Sequence, residues 1–385
     1  MKTSWARWVV IVAGIGVYVA VGLYLASHTS IYRLYRSGGT ANVRYEKAIV
    51  LGIQDEELVT DKEHGGLLTG YQDVSIRLIR GERAGTELRI QNVLNYTSHF
   101  LLKKGDTIIV HVDTADADHF TVSVYSVNRV PVVCLLALAF VAALCGIGGS
   151  RGFRSLLGMV FTLSSIFLFF IPLLYRGCSP TLAVTVMAAA TIAVSLLLLG
   201  GLSVKSAAAI AGSFVGIGIS ALLAWAAQNM AQISGYTTAE VDSLLAIAGQ
   251  TGMKVGELLF AAFLISTLGA VLDISISVAS AASEVHAGNP SLATAALFRS
   301  AMSVGRDMMG TMANTLILAF VGTSLNAVIL IYSLERSTLQ ILNSSAITIE
   351  LVQSLTAGLA VILTVPAVAF IAAVLSVRRP ARRRS

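Results

Sequence analysis

Long apolar runs dominate the chain from residue 130 onward, and one more lies near the N terminus. Each run is close to the roughly 20 residues that a helix needs to cross the hydrocarbon core of a bilayer. Only short polar stretches separate the runs, as in a protein that crosses the membrane repeatedly. The pattern predicts eight transmembrane helices, at about 8–26, 131–148, 155–174, 181–202, 206–229, 256–281, 308–333 and 351–376.

Residues 28–129 follow a different pattern, in which apolar and polar positions alternate with a period of two. Such alternation indicates half-buried strands, and Gly, Asp and Lys punctuate the gaps between them. Five short strands fit a small closed barrel, OB-like in size, placed outside the membrane between the first two helices. The predicted strands lie within 43–53, 71–81, 86–94, 106–112 and 119–127.

Two weaker helices are predicted in the loops. Residues 235–255 contain an amphipathic helix on the outer side, between the fifth and sixth transmembrane helices. SLATAALFRSAMSVGRD (291–307) forms another on the inner side, separate from the seventh transmembrane helix.

Composition agrees with a polytopic α-helical membrane protein, since 55% of the 385 residues are hydrophobic and 12% are charged. The net charge of +6 reflects topology, because most Lys and Arg outside 28–129 then fall on one side, which the positive-inside rule makes cytoplasmic. Both termini are therefore predicted to be cytoplasmic, and the basic tail to contact anionic lipid rather than nucleic acid. The predicted domains are an N-terminal anchor (1–27), the extracytoplasmic β domain (28–129), a seven-helix membrane domain (130–376) and the tail (377–385).

Neither a metal site nor a cofactor site is predicted. The segment HVDTADADHF (111–120) matches no ligand spacing and is read as a solvated turn. No phosphate-binding glycine motif follows a strand. The three cysteines, Cys134, Cys145 and Cys178, lack the spacing of a zinc site or a disulfide framework.

The sixth helix carries the residue of greatest interest, Asp273, in an otherwise uncharged run. A carboxylate at such a depth costs about 2.5–3.5 kcal/mol on insertion scales and usually faces a bundle interior or a hydrated path. Asp273 shares one small, polar helix face with residues at i−4, i+4, i+7 and i+11. These are Gly269, Ser277, Ser280 and Glu284.

The seventh helix opens with a second polar face. Arg306 and Asp307 are predicted at the cytoplasmic boundary, with Gly305 and Gly310 close by, and Thr311 and Asn314 deeper. The depths predict that Asp273 lies opposite Asn314, and that Glu284 lies opposite Arg306 and Asp307. We hypothesise that the two faces meet and line a polar cleft that opens to the cytoplasm.

Packing is the alternative reading of these faces, because small and hydroxyl residues commonly drive association of membrane helices. Gly212-x-x-x-Gly216 in the fifth helix needs no other explanation. Pro366 is expected to kink the eighth helix and free a carbonyl there. Gly269, Gly305 and Gly310 are assigned to packing or hinge roles.

The stretches LGAVLDISISVASAASE (268–284) and SVGRDMMGTMANTLILAFVG (303–322) resemble the paired signature of the YibE/F-like bacterial membrane proteins. The resemblance spans roughly residues 45–376. It implies location in the bacterial cytoplasmic membrane and draws attention to the two polar faces, but it implies no substrate.

Three functions remain open at this point. A transporter or channel would bind a small solute or ion at Asp273, Ser277, Ser280, Thr311 and Asn314, with Glu284, Arg306 and Asp307 at the cytoplasmic mouth. A scaffold, sensor or envelope-assembly factor would instead bind a protein partner through the β domain. An aspartyl protease would need Asp273 and Asp307 to share a proton, and their predicted depths argue against enzymatic activity.

Overall fold

We describe a computed structural model of the protein, covering residues 16, 18–25, 27, 43–63, 65–81, 83–113, 120–333 and 337–378. The chain divides into two compact units. One comprises residues 32–143, and the other comprises residues 1–31 and 144–385. Most of the predicted first helix and nearly all of the basic tail lie outside the described residues, as do His28, His64 and His119.

The first unit contains the five predicted strands, all antiparallel, in one sheet of order β3-β2-β1-β4-β5. Each strand carries the period-two pattern, as in β2, where Val74, Ile76 and Leu78 are buried in alternation. The strands are β1 (Val43–Asp61), β2 (Leu67–Leu78), β3 (Glu87–Leu94), β4 (Thr107–Asp113) and β5 (Thr121–Val127).

β1 is longer than predicted, because its polar second half, up to Asp61, pairs with the start of β2. The close pairing requires Gly70, whose φ is +129° and where a Cβ would stand 2.0 Å from the Glu57 carbonyl oxygen. Closure into a barrel was also predicted. Among the described strands, no ladder pairing joins β3 to β5.

Two buried amides hold the segment after β3 against this sheet. The Gln72 Oε1 accepts from the Leu102 amide at 2.9 Å, and its Nε2 donates to the Leu102 carbonyl at 3.3 Å. Asn92 Nδ2 donates to Gln72 Oε1 at 3.2 Å and to the Phe100 carbonyl at 3.1 Å. These bonds give partners to both polar atoms of the Gln72 side chain and to Asn92 Nδ2, although both side chains are almost fully buried.

The second unit is a bundle of long apolar helices. Among the described residues, five helical stretches are long and apolar enough to cross a membrane, and the first of them begins in residues that belong to the other unit. These are Val130–Tyr175, Pro180–Gly200, Val204–Ala231, Val255–Gly288 and Ser345–Arg378. The core of the bundle is formed mainly by the last four of these stretches. The helices, in chain order from Val130, are α1 (Val130–Ser165), α2 (Ile171–Tyr175), α3 (Pro180–Gly200), α4 (Val204–Ala231), α5 (Val241–Thr251), α6 (Leu258–Gly288), α7 (Thr294–Thr323), α8 (Leu325–Ser333), α9 (Thr338–Leu342) and α10 (Ser345–Arg378).

The second and third predicted helices are separated by a single non-helical residue inside α1. Gly149 has φ 53° and ψ −133°, which breaks the helical path. Val130–Tyr175 is 46 residues long, about twice the length that one crossing needs. The break at Gly149 therefore separates two segments of crossing length.

α7 differs most from its prediction. The inner amphipathic helix and the first part of the predicted seventh transmembrane helix (308–333) form one continuous helix, Thr294–Thr323. The remainder of that prediction forms α8, which follows a break at Ser324. Gly305 does not interrupt α7, because this glycine is buried where a Cβ would stand 2.3 Å from Val365 Cγ1 of α10. Close packing against α10 thus keeps the helix intact through a residue of low helix propensity.

Candidate functional site

The polar face of α6 forms as predicted, and it lies on the exposed side of the helix. Asp273, Gly269 and Glu284 are exposed, and Ser277 and Ser280 are half-buried. Val271, Ile274 and Val278 are buried on the opposite side, in the bundle core. The Ser280 hydroxyl donates to the Ile276 carbonyl of its own helix at 2.6 Å, so it is satisfied without a partner helix.

α7 has a matching exposed polar face. Its exposed positions recur every three or four residues, which keeps them on one side of the helix. They are Arg299, Ser303, Arg306, Asp307, Gly310, Thr311, Asn314 and Thr315. The opposite side, with Leu297, Ala301 and Gly305, is buried against the bundle. The structure therefore places every polar residue predicted for this helix on its open side.

The two polar faces do not bury one another, which differs from the hypothesis of a packed cleft. Asp273, Asp307 and Asn314 are all exposed. Within the described part of the chain, none of them makes a hydrogen bond or an ion pair with the neighbouring helix. α6 and α7 approach instead near Gly305, where a Cβ would lie 3.4 Å from Val278 Cγ2. Small apolar contacts hold the hairpin together, and the polar residues face away from that contact.

The continuous α7 also corrects the predicted depths. α6 ends at Gly288 and α7 begins at Thr294, so heights can be counted from one short loop. At 1.5 Å per residue, Asp273 lies about 22 Å from the loop end of α6, and Asp307 about 20 Å from the loop end of α7. Arg306 and Asp307 are thus level with Asp273. They do not lie at the boundary opposite Glu284, because α7 extends for three turns before reaching them.

The glycines assigned to packing divide into two kinds. Gly305 lies at a close contact, whereas a Cβ at Gly269 or Gly310 would meet nothing within 4 Å. Pro366 is exposed, and α10 continues through it. The proline lacks the amide that would pair with the Ile362 carbonyl, four residues earlier.

A carboxylate that the sequence reasoning missed connects the N-terminal ends of α3 and α6. Glu257 Oε2 accepts from the Ser179 hydroxyl and from the Thr181 amide, the latter at 3.3 Å. Lys254 lies 3.8 Å from the other Glu257 oxygen. Because Thr181 lies in the first turn of α3, the carboxylate satisfies an amide that has no partner within the helix. The Ser-Pro pair at 179–180 marks the start of α3 in the sequence, but no sequence signal identifies Glu257 as the residue that caps it.

Buried polar groups without hydrogen bonds are the second feature that was missed. His286, near the end of α6, is 6% exposed, and neither of its ring nitrogens has a partner among the described residues. The hydroxyl groups of Thr191, Ser213 and Ser275 are also buried without a hydrogen-bond partner among the described residues. In the sequence, His286 differs from the other five histidines only in lying outside residues 28–129.

A cavity of about 460 Å³ lies at the far end of α7, opposite the α6–α7 loop. Two carboxylates, Glu240 and Glu350, and several hydroxyl groups line it. This lining favours a cation or water over an anion. Among the described residues, no group of three or more His, Cys, Asp or Glu side chains is arranged to hold a metal ion.

These features define a class, an α-helical integral membrane protein with a separate β-sheet unit. The profile of the YibE/F-like protein family matches residues 136–378, well over half of the chain. The chain belongs to this family, as the motifs on α6 and α7 had indicated. No curated protein and no solved structure matches the chain significantly.

Proposed function

We propose that the protein is a secondary transporter or channel for a small ion or solute, and that Asp273 is the central residue of its path. One observation carries the proposal: a carboxylate lies within a membrane-length helix on an open face of small and hydroxyl residues. Charged groups at such depths usually line substrate or ion pathways. The open space at Gly269 and Gly310 leaves room for water beside the carboxylate.

The roles of the neighbouring residues follow from their chemistry. Asp273 would bind a proton or cation, and Ser277, Ser280, Thr311 and Asn314 would supply neutral oxygen ligands. Glu284 would set the charge at the cytoplasmic mouth of the path, and Arg306 and Asp307 would set the charge at the level of Asp273. The cavity with Glu240 and Glu350 would concentrate cations at the other end. Asp273 and Asp307 lie at similar heights, but both are exposed and no hydrogen bond joins them, so we propose no shared proton and no catalytic role for these groups.

The proposed arrangement has eight spans in a bacterial cytoplasmic membrane, with both termini cytoplasmic. The five crossing-length stretches support six of these spans when Val130–Tyr175 is divided at Gly149. The seventh span would be formed by α7 together with α8, since residues 308–333 carry no charge, and residues 8–26 would form the eighth. α7 by itself is not among the crossing-length stretches. The β unit would then be extracytoplasmic. Its strand order, with β1 paired to both β2 and β4, supports an opened OB-type barrel.

Thiol accessibility tests the path directly. Single cysteines would replace Ser277, Thr311 and Asn314 in a cysteine-free full-length chain, leaving Asp273 in place. Leu222, 63% exposed on α4, gives an apolar control that faces away from the core. A membrane-impermeant maleimide would be added to sealed vesicles of each orientation, with and without candidate cations.

We expect the three polar positions to react, the Leu222 position to remain inert, and cations to slow the reaction at Ser277. Inert polar positions in both vesicle orientations would contradict a hydrated path. Attention would then move to the β unit as a binding surface for a protein partner.

A further inference from the structure

Five charged side chains project from the α6–α7 hairpin without any partner in the described part of the chain. Glu284 and Asp273 are exposed on α6, and Arg299, Arg306 and Asp307 are exposed on α7. None of them takes part in a hydrogen bond or ion pair with another described residue. A membrane protein seldom leaves such charges facing lipid, because each is costly unless paired or hydrated.

The acids and the arginines lie at matching heights. Glu284 lies four residues before the end of α6 and Arg299 five residues after the start of α7, about 6 Å and 8 Å from the loop. Asp273 and Arg306 lie about 22 Å and 18 Å from it. Near the loop the α6 face is therefore acidic and the α7 face basic, although the chain does not pair Glu284 with Arg299 within itself. At the deeper level Arg306 is accompanied by Asp307, so there the α7 face offers a cation without carrying a net charge.

We propose that a second copy of this chain covers the exposed α6–α7 face. A two-fold axis along the membrane normal preserves height, so α6 of one copy would face α7 of the other. Glu284 would then pair with Arg299 of the second copy, and Asp273 with Arg306. Each pair would occur twice, as a self-complementary interface requires.

The glycines on the α6–α7 face are also compatible with a second copy of the chain. Gly269 and Gly310 have no neighbour within 4 Å, so a second backbone can approach them closely. Small residues and cross-helix hydroxyl groups are what membrane helix interfaces use. The described part of the N-terminal helix does not compete for this face, because Tyr18 packs on Phe161 and Phe169, with ring centroids 4.9 and 5.2 Å away.

This inference goes beyond the proposed function and does not depend on transport. If both hold, the polar path runs between two chains. The experiments that follow measure only whether two chains associate. A negative result would overturn the dimer and would leave the hydrated path to be tested separately by thiol accessibility.

Cross-linking in membranes is the first test. Gly310→Cys and the control Leu222→Cys would be made in the cysteine-free full-length chain, reconstituted at low density and treated with a short bis-maleimide. We expect a covalent dimer with Gly310→Cys in at least about tenfold higher yield than with Leu222→Cys. Equal yields, or no dimer with Gly310→Cys at any density, would overturn the proposal in favour of lipid or water on this face.

Charge reversal is the second test and identifies the pairing. Glu284→Arg and Arg299→Glu would each be added to Gly310→Cys, singly and together, with Lys205→Glu on α4 as a matched reversal elsewhere. Each single reversal should raise the dissociation constant of the dimer at least about fivefold, because it removes the Glu284–Arg299 pair at both of its positions in the dimer. The double reversal should restore it to within about twofold, and Lys205→Glu should leave it unchanged.

Recovery in the double variant cannot arise from general damage to folding, since two damaging changes would add. Single reversals without effect, or a double variant no better than either single one, would overturn the proposed pairing. Yields would be compared only among chains that remain membrane-inserted and alkylate fully after denaturation.

Discussion

The two faces of the membrane bundle use the same small residues in opposite ways. On the closed face, a Cβ at Gly212 would stand 2.4 Å from Val368 Cγ2, and one at Gly216 would stand 2.4 Å from Thr364 Oγ1. On the open face, a Cβ at Gly269 or Gly310 would meet nothing. Glycine spacing alone therefore does not distinguish a packed contact from an open surface. The charged residues do, because Asp273 and Arg306 lie only on the open side.

The largest effect is expected on the closed face. Gly212→Ala should destabilise the fold by about 2–3 kcal/mol, because the new methyl group would overlap Val368 and lie 3.2 Å from its Cα. Gly218→Ala, on the same helix with open space around it, should change the stability little. Thermal unfolding in detergent, followed by size-exclusion fluorescence, measures both. Equal melting temperatures for the two variants would contradict the close contact between α4 and α10.

Asp273→Asn should have the next largest effect, on flux rather than on folding. If Asp273 carries the transported proton or cation, the amide removes that site, and flux in proteoliposomes should fall at least about tenfold, or about 1.4 kcal/mol. The matched control is Asp242→Asn, an exposed aspartate in the first turn of α5. A pH-sensitive dye inside the vesicles reports proton movement. Unchanged flux in Asp273→Asn would contradict a role for this carboxylate in transport.

Glu257→Gln should produce a moderate loss of stability of about 1 kcal/mol, because the charged cap of α3 becomes a neutral one. The amide still fits the space, so packing is retained. Glu240→Gln provides the comparison, because Glu240 is exposed at the start of α5 and its side chain makes no capping hydrogen bond. Urea-induced unfolding of the full chain in micelles measures the difference, and identical midpoints would show that the cap contributes nothing.

The smallest effect is expected at Gly310. Gly310→Ala should change the unfolding free energy by less than about 0.5 kcal/mol, whereas Gly305→Ala on the same helix should cost about 1–2 kcal/mol. The contrast follows from Val365 Cγ1 at 2.3 Å beside Gly305 and from the open space at Gly310. Melting temperatures of the Gly305→Ala and Gly310→Ala variants test this contrast. A larger loss of stability in Gly310→Ala would contradict the placement of Gly310 on the open face and Gly305 on the packed one.

Local periodicity was sufficient to predict much of this architecture. The five strands follow from alternation, because each strand buries one face of its sheet. The position of Asp273 on a polar face follows from helical spacing alone. Both depend only on neighbours along the chain, which the sequence displays directly.

Features that depend on other helices could not be predicted in the same way. The charged pair Arg306–Asp307 placed the predicted start of the seventh transmembrane helix at residue 308, yet α7 runs without a break through this position and packs on α10 at Gly305. The cap that Glu257 provides to α3 joins residues 76 positions apart, so no local signal reveals it. Whether a polar face is covered also depends on the arrangement of the helices, which hydropathy does not contain.

The turn between β1 and β2 offers a practical route to the topology of the protein. Gly65 and Gly66 both have positive φ, and a Cβ at either would touch nothing within 4 Å. In contrast, the segment near Leu102 is held by the Gln72 and Asn92 amides and would not tolerate an insertion. A short epitope inserted after Gly65 should leave the sheet intact and remain open to antibody. Labelling of intact cells, compared with permeabilised ones, would then show on which side of the membrane the β unit resides.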